Sequence, residues 1–133
     1  MKVLLLNGST RKNGCTHLAL SEVARALNAE GVETEIIQMG PGPGRDCVGC
    51  GGCAGKGQCV FGDDMANEVI AKAKEADGFV FGSPVYYAHP SGQILSLLDR
   101  VFYAGGSAFS HKPAAVVVTA RRAGTTASLD VLH

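Results

Sequence analysis

The sequence has no surplus of charge of either sign: twelve Lys and Arg balance twelve Asp and Glu, and charged residues make up only 18% of the chain. That balance argues against a nucleic-acid or polybasic membrane partner. Long apolar runs are missing too, with none approaching the roughly 20 residues a membrane span needs. The opening MKVLLLNGST holds a short apolar stretch with no longer hydrophobic region and no small-residue cleavage site behind it. The expectation is therefore no secretory signal and a cytoplasmic location. Five cysteines do not make a disulfide scaffold in 133 residues; clustered in a reducing compartment, they point to metal or redox chemistry. No low-complexity tract interrupts a composition that is 46% hydrophobic, so residues 1–133 are expected to fold as one domain.

Strand and helix signals alternate. Lys2–Leu6 is a continuous apolar run ended by Asn7-Gly8, as expected of a strand buried on both faces. Thr16 to Glu30 reads as a helix with Leu18, Val23 and Leu27 inward and Gly31 as its C-cap. Thr34–Gln38 is a second strand. Asp63 or Asp64 can cap a helix running to about Ala76, with Ala66, Val69, Ile70 and Ala73 buried. Gly78–Gly82 is a third strand, Ser91 to Tyr103 a helix with Ile94, Leu95, Leu98 and Phe102 inward, and Ala114–Thr119 a fourth strand before a helix near Thr126. This pattern predicts an α/β fold, a doubly wound open parallel sheet. An apolar fourth strand at an edge would be sticky, so the expectation is that the natural protein continues with a further strand and helix, the alternative being that a partner chain covers that edge.

In such sheets ligands bind beyond the carboxyl ends of the strands. Three segments fall there: Gly8–Thr16, Ser83–Pro90 and Ala120–Thr125. The first, GSTRKNGCT, joins a strand to a helix, whose free N–H groups favour an anion. Ser9, Thr10, Thr16 and Asn13 can donate to phosphate oxygens and Arg11 adds charge. The loop matches neither G-x-G-x-x-G nor G-x-x-x-x-G-K-[ST], so a phosphate monoester suits it better than a dinucleotide or nucleoside triphosphate. A merely polar turn is the plainer reading. No residue reads as a general base or nucleophile, and His17, His89, His111 and His133 are scattered, so no catalytic residue is predicted.

CVGCGGCAGKGQC places Cys47, Cys50, Cys53 and Cys59 on one loop, within a cysteine-rich segment over 45–62. Zinc takes four thiolates, but usually from two distant C-x2-C knuckles. Close C-x2-C-x2-C spacing suits a cuboidal iron–sulfur cluster, and Gly49, Gly51, Gly52, Gly55 and Gly57 would let the chain wrap tightly. Arg45 and Lys56 are candidates to offset the cluster's charge. Cys15, apart from the loop, starts a helix; it is either a low-pKa thiol or a small packing residue beside the phosphate.

GSTRKNGCT, SPVYYAHPSGQILSLLDR and TARRAG resemble the NAD(P)H-dependent FMN reductases of the flavodoxin-like superfamily. With the cysteine loop included, the chain is most similar to the iron–sulfur flavoproteins of anaerobic microbes. Relatives usually continue through a fifth strand and a terminal helix. The resemblance implies that Ser9, Thr10, Arg11, Asn13 and Thr16 hold the FMN phosphate, assisted by backbone near Cys15. It also implies that Pro84, Val85, Tyr86 and Tyr87, with Ala120, Arg121, Gly124 and Thr125, line the flavin, and that Cys47, Cys50, Cys53 and Cys59 ligate a 4Fe-4S cluster. Pro84 would stiffen a turn there, and Arg121 or Arg122 would stabilise anionic reduced flavin. Core or interface tyrosines and a solvated arginine pair are the alternatives. Function follows as electron transfer: ferredoxin or NAD(P)H as donor, a small-molecule acceptor, and a homodimer or homotetramer with contacts from the 92–102 helix. The alternatives are a cluster-free NAD(P)H-dependent FMN or quinone reductase whose cysteines are thiols or disulfides, a flavodoxin-like carrier, or a metal-binding module.

Overall fold

The structure is a computed structural model describing residues 1–42 and 44–133. Its strands are β1 (Lys2–Asn7), β2 (Glu33–Gln38), β3 (Gly78–Tyr86), β4 (His89–Pro90) and β5 (Ala114–Thr119); its helices are α1 (Cys15–Ala29), α2 (Ala66–Glu75), α3 (Gly92–Gly105) and α4 (Thr125–Leu132). The parallel sheet runs β2-β1-β3-β5, while β4 folds back antiparallel on the end of β3. The chain leaves β1 for β2 on one side and crosses to β3 on the other. The crevice at the carboxyl ends of β1 and β3 is thus the switch point where such sheets take ligands.

Alternation along each strand explains the unbroken apolar runs. Leu4, Leu6, Phe79 and Phe81 pack towards α2 and α3, against Val69, Ile70, Ile94, Leu98 and Val101. Leu5 and Val80 point the other way, into a smaller cluster with Leu20 and Ala24 of α1. Helices on both faces require apolar side chains on both. Gly82 lies beneath α1, where a Cβ would meet the Leu20 side chain at 2.6 Å, so the helix sits directly on the strand backbone.

Four expectations need correction. Leu18 faces solvent, because the inward stripe of α1 is Thr16, Leu20 and Ala24, four residues apart. Phe102 is 44% exposed, since Leu97 and Val101 occupy the inner face of α3 instead. Met65 holds the N-cap position of α2, while the Asp64 carboxylate accepts the Ala66 N–H from one residue further out. Pro84 stands inside β3, in register with Thr119 of β5, and the turn comes only at Tyr87-Ala88. Gly31 does end α1: at φ +78° its N–H reaches Asn28 O and that of Val32 reaches Leu27 O, the paired bonds of a Schellman close. Among the described residues β5 pairs with β3 alone, and no helix is long and apolar enough to cross a membrane.

Candidate functional site

The loop between β1 and α1 is held from below. Buried Asn7 accepts the Ser9 N–H on its side-chain oxygen and donates to Gln38 Oε1 at 2.6 Å; Gln38 Nε2 in turn donates to Ser9 O at 2.6 Å. Ser9 is buried and its Oγ accepts the Arg11 N–H, while Thr10, Arg11, Asn13 and Cys15 are exposed. The start of α1 is bare. Its N-cap, Gly14, offers no side-chain acceptor, and the first turn holds no acidic residue. A 15-residue helix therefore presents uncapped N–H groups beside an exposed arginine, the arrangement that favours a phosphate.

Two further loops meet this one. Gly8 N–H donates to Gly82 O at 2.7 Å, and Gly8 O accepts from Ser91 Oγ, the N-cap of α3, at 2.8 Å. The Ser91 N–H donates to Ser83 Oγ, so two buried serines stitch β3, α3 and the loop together. Thr16 Oγ1 lies 2.8 Å from Thr119 Oγ1, which ties α1 to the end of β5. The hairpin loop Tyr87-Ala88 has φ of +52° and +60°, both positive as a type I′ turn demands but without glycine. Gly124, at φ +92°, lies against it; a Cβ there would fall 2.6 Å from Ala88 Cα. All three segments thus gather at one sheet edge. Tyr86 is 54% exposed and Tyr87 wholly so, which removes the core alternative for both. Pro84 and Val85 are half-buried behind them, as are Gly124 and Thr125, whereas Ala120, Arg121 and Arg122 are exposed.

The cysteine loop curls round a narrow recess of about 20 Å³, and Cys47, Cys50, Cys53 and Cys59 all line it. Gly49, Gly51, Gly55 and Gly57 have positive φ, conformations that side chains resist, and these make the curl. The thiols share this concave wall, yet among the described residues no three metal-capable side chains converge to ligating distance. No disulfide pairs any of the five cysteines. Arg45 is already engaged: it donates to Asp63 at 3.1 Å and stacks over Phe61 at 4.5 Å. Its guanidinium holds the Asp63 carboxyl below the usual range.

Sequence reasoning missed the best-anchored part of this loop. Arg100 of α3 is 2% exposed and pairs with Asp64. It also donates to Phe61 O at 3.1 Å, Arg45 O at 3.3 Å and Cys59 Sγ at 3.4 Å. Asn67 of α2 brackets the Cys59 backbone, accepting its N–H at 2.8 Å and donating to its C=O at 2.9 Å. Burial pushes the Cys59 thiol up, but hydrogen bonds from Arg100 and the Phe61 backbone outweigh it and leave the pKa below its ordinary value. An arginine on the helix face shared by Leu97 and Val101 was the available signal for this residue. Asn7 and Gln38, flanking the ends of paired strands, gave none.

An iron–sulfur flavoprotein of Methanocaldococcus jannaschii is 42% identical over 100 residues, 75% of this chain and 51% of the relative. One from Archaeoglobus fulgidus is 33% identical over 113 residues, 85% of this chain and 49% of its own. The chain spans about half the length of the curated relatives it matches. A solved NAD(P)H:quinone oxidoreductase from Methanothermobacter marburgensis shares the fold, with TM-score 0.72 at 15% identity over 92% of this chain and 68% of that one. The family model for NADPH-dependent FMN reductase matches residues 1–133, and with this sheet order and loop edge the chain belongs to that family, on a flavodoxin-like α/β fold.

Proposed function

We propose that this chain is the FMN-binding unit of an iron–sulfur flavoprotein. In this reading it is an oxidoreductase moving electrons between a donor, ferredoxin or a nicotinamide nucleotide, and a small-molecule acceptor. The observation that carries the reading is that α3 braces both candidate sites. Ser91 at its start bonds the phosphate loop through Gly8, and Arg100 bonds the cysteine loop through Cys59. Nine residue steps along the helix separate them, roughly 14 Å along the axis. Free N–H groups at the start of α1, with Ser9, Thr10, Arg11, Asn13 and Thr16, would hold the phosphate. Pro84, Val85, Tyr86 and Tyr87 would form one wall of the ring site, and Ala120, Arg121, Gly124 and Thr125 the other. Cys47, Cys50, Cys53 and Cys59 would hold a 4Fe-4S cluster: four soft donors face one recess on a glycine-hinged loop able to close on it. When bound, FMN supplies uptake of one or two electrons and the cluster supplies one-electron transfer. The solvent-facing Phe102 and Tyr103 of α3 are the surface for a homodimer or homotetramer. Free thiols suit a reducing cytoplasm.

The unconverged thiols support a second reading, an NAD(P)H-dependent FMN or quinone reductase without a cluster. One preparation separates the two. Protein purified without oxygen is scanned in the visible, and iron, sulfide and flavin are counted per chain. The expected result is FMN with about four iron and four sulfide. Bound FMN without iron, after reconstitution with iron and sulfide, leaves the reductase; a colourless protein binding neither removes both readings.

A further inference from the structure

We propose that Arg100 is a positioning residue for the fourth cysteine, fixing Cys59 from beneath and setting the reduction potential of what the loop binds. This rests on the reading of the loop as a cluster site. A buried guanidinium is costly unless its donors are matched, and here the groups that match its terminal nitrogens all come from one segment of chain. Arg45 O, Cys59 Sγ, Phe61 O and the Asp64 carboxylate converge on the two terminal nitrogens, and Nε has no partner among the described residues. Asp64 is the one carboxylate in this set, and Cys59 as a thiolate ligand would be the second charge opposing the cation. Cys59 is consequently held at both ends: its backbone by Asn67 of α2, its sulfur by Arg100 of α3. Cys47 and Cys50, by contrast, are exposed. The order in which the loop would close follows: Cys59 and α2–α3 form the fixed jaw, and the segment bearing Cys47, Cys50 and Cys53 swings on its glycines.

The electrostatic consequence has a definite sign. An electron added at the loop brings one negative charge and no proton. An N–H donor on a ligating sulfur, backed by a cation that cannot be deprotonated, stabilises that added charge. Removing the guanidinium favours the oxidised state, and removing its counter-charge favours the reduced one. Two substitutions on one ion pair should therefore move the potential in opposite directions, which loss of packing alone would not do.

The test uses the whole chain, reconstituted anaerobically with iron, sulfide and FMN, as parent, Arg100→Gln, Arg100→Lys and Asp64→Asn. Iron, sulfide and flavin are counted, and the cluster's midpoint is read by an electron-paramagnetic-resonance redox titration. Arg100→Gln is expected to shift the midpoint negative and Asp64→Asn positive, with Arg100→Lys between the parent and Arg100→Gln and flavin content equal throughout. Should Arg100→Gln lose its iron, a positive shift in Asp64→Asn sustains the inference and an unmoved one overturns it. Equal midpoints in all loaded proteins, or shifts of one sign in both partners, overturn it while the cluster reading stands. A parent that takes up no iron removes the cluster reading itself, and this inference with it.

Discussion

Replacing Gly8 with alanine tests the joint on which the phosphate loop rests. The new methyl would lie 2.8 Å from Gly82 O, 2.8 Å from Ile94 Cβ and 2.9 Å from Ile94 Cδ1. None of these yields easily. Gly82 is locked in the β1–β3 ladder opposite Asn7, and Ile94 is fully buried in the first turn of α3. Overpacking of this kind costs about 1–3 kcal/mol. Relief by moving the loop forfeits the Gly8 N–H bond to Gly82 and the Ser91 bond to Gly8 O, each worth about 1 kcal/mol. Either route leads to a destabilisation of about 1–3 kcal/mol, a large part of a small domain's stability. Urea unfolding followed by circular dichroism should show a lower midpoint at unchanged slope. FMN affinity, followed by flavin fluorescence, should weaken about tenfold if the loop gives up about 1.4 kcal/mol of alignment. Gly106→Ala, far from the phosphate loop, is the control: a Cβ there meets nothing within 4 Å. A Gly8→Ala protein with the parent's midpoint and FMN affinity would refute the reasoning.

Arg11→Ala should weaken FMN several-fold and leave riboflavin, which lacks the phosphate, unaffected; equal losses for both, measured by fluorescence titration, would place Arg11 elsewhere. Ala88→Gly should raise stability by about 0.5–1 kcal/mol in urea, because alanine at φ +60° is strained and glycine is not. Glu35 accepts hydrogen bonds from Lys2 and Lys72, which hold its carboxyl below the ordinary value. A folded-state pKa lowered in this way gives stability that is present above the unfolded value and lost as pH falls through the folded one. Glu35→Gln should accordingly cost under about 1 kcal/mol at neutral pH and nothing at strongly acidic pH, read from urea midpoints across that range.

The sheet and its helices were legible because each is a local matter. Val3–Leu6 and Gly78–Gly82 are apolar without a break, and only a strand covered on both faces wants that. Gly31 after a periodic stretch ends a helix whatever surrounds it. The reading failed where local signals were outvoted. Ser83–Tyr86 looks like a loop because of Pro84, yet it continues β3 since β5 supplies a partner as far as Pro84 and the antiparallel return of β4 pairs Val85 and Tyr86. Leu18 and Phe102 are hydrophobic residues left outside, with the inner positions of their helices taken by others.

By itself the sequence determined which segments are strands and helices, which loops stand at their carboxyl ends, and that four thiols share one glycine-rich stretch. These follow from residue type and spacing, which act over a few positions along the chain. Tertiary structure alone decided that Gln38 and Asn7 prop the phosphate loop, that Ser83 and Ser91 pin it to α3, and that Arg100 reaches across 41 residues of sequence to the sulfur of Cys59. A buried polar group must find partners wherever packing brings them, and packing is settled by the whole sheet and its helices together.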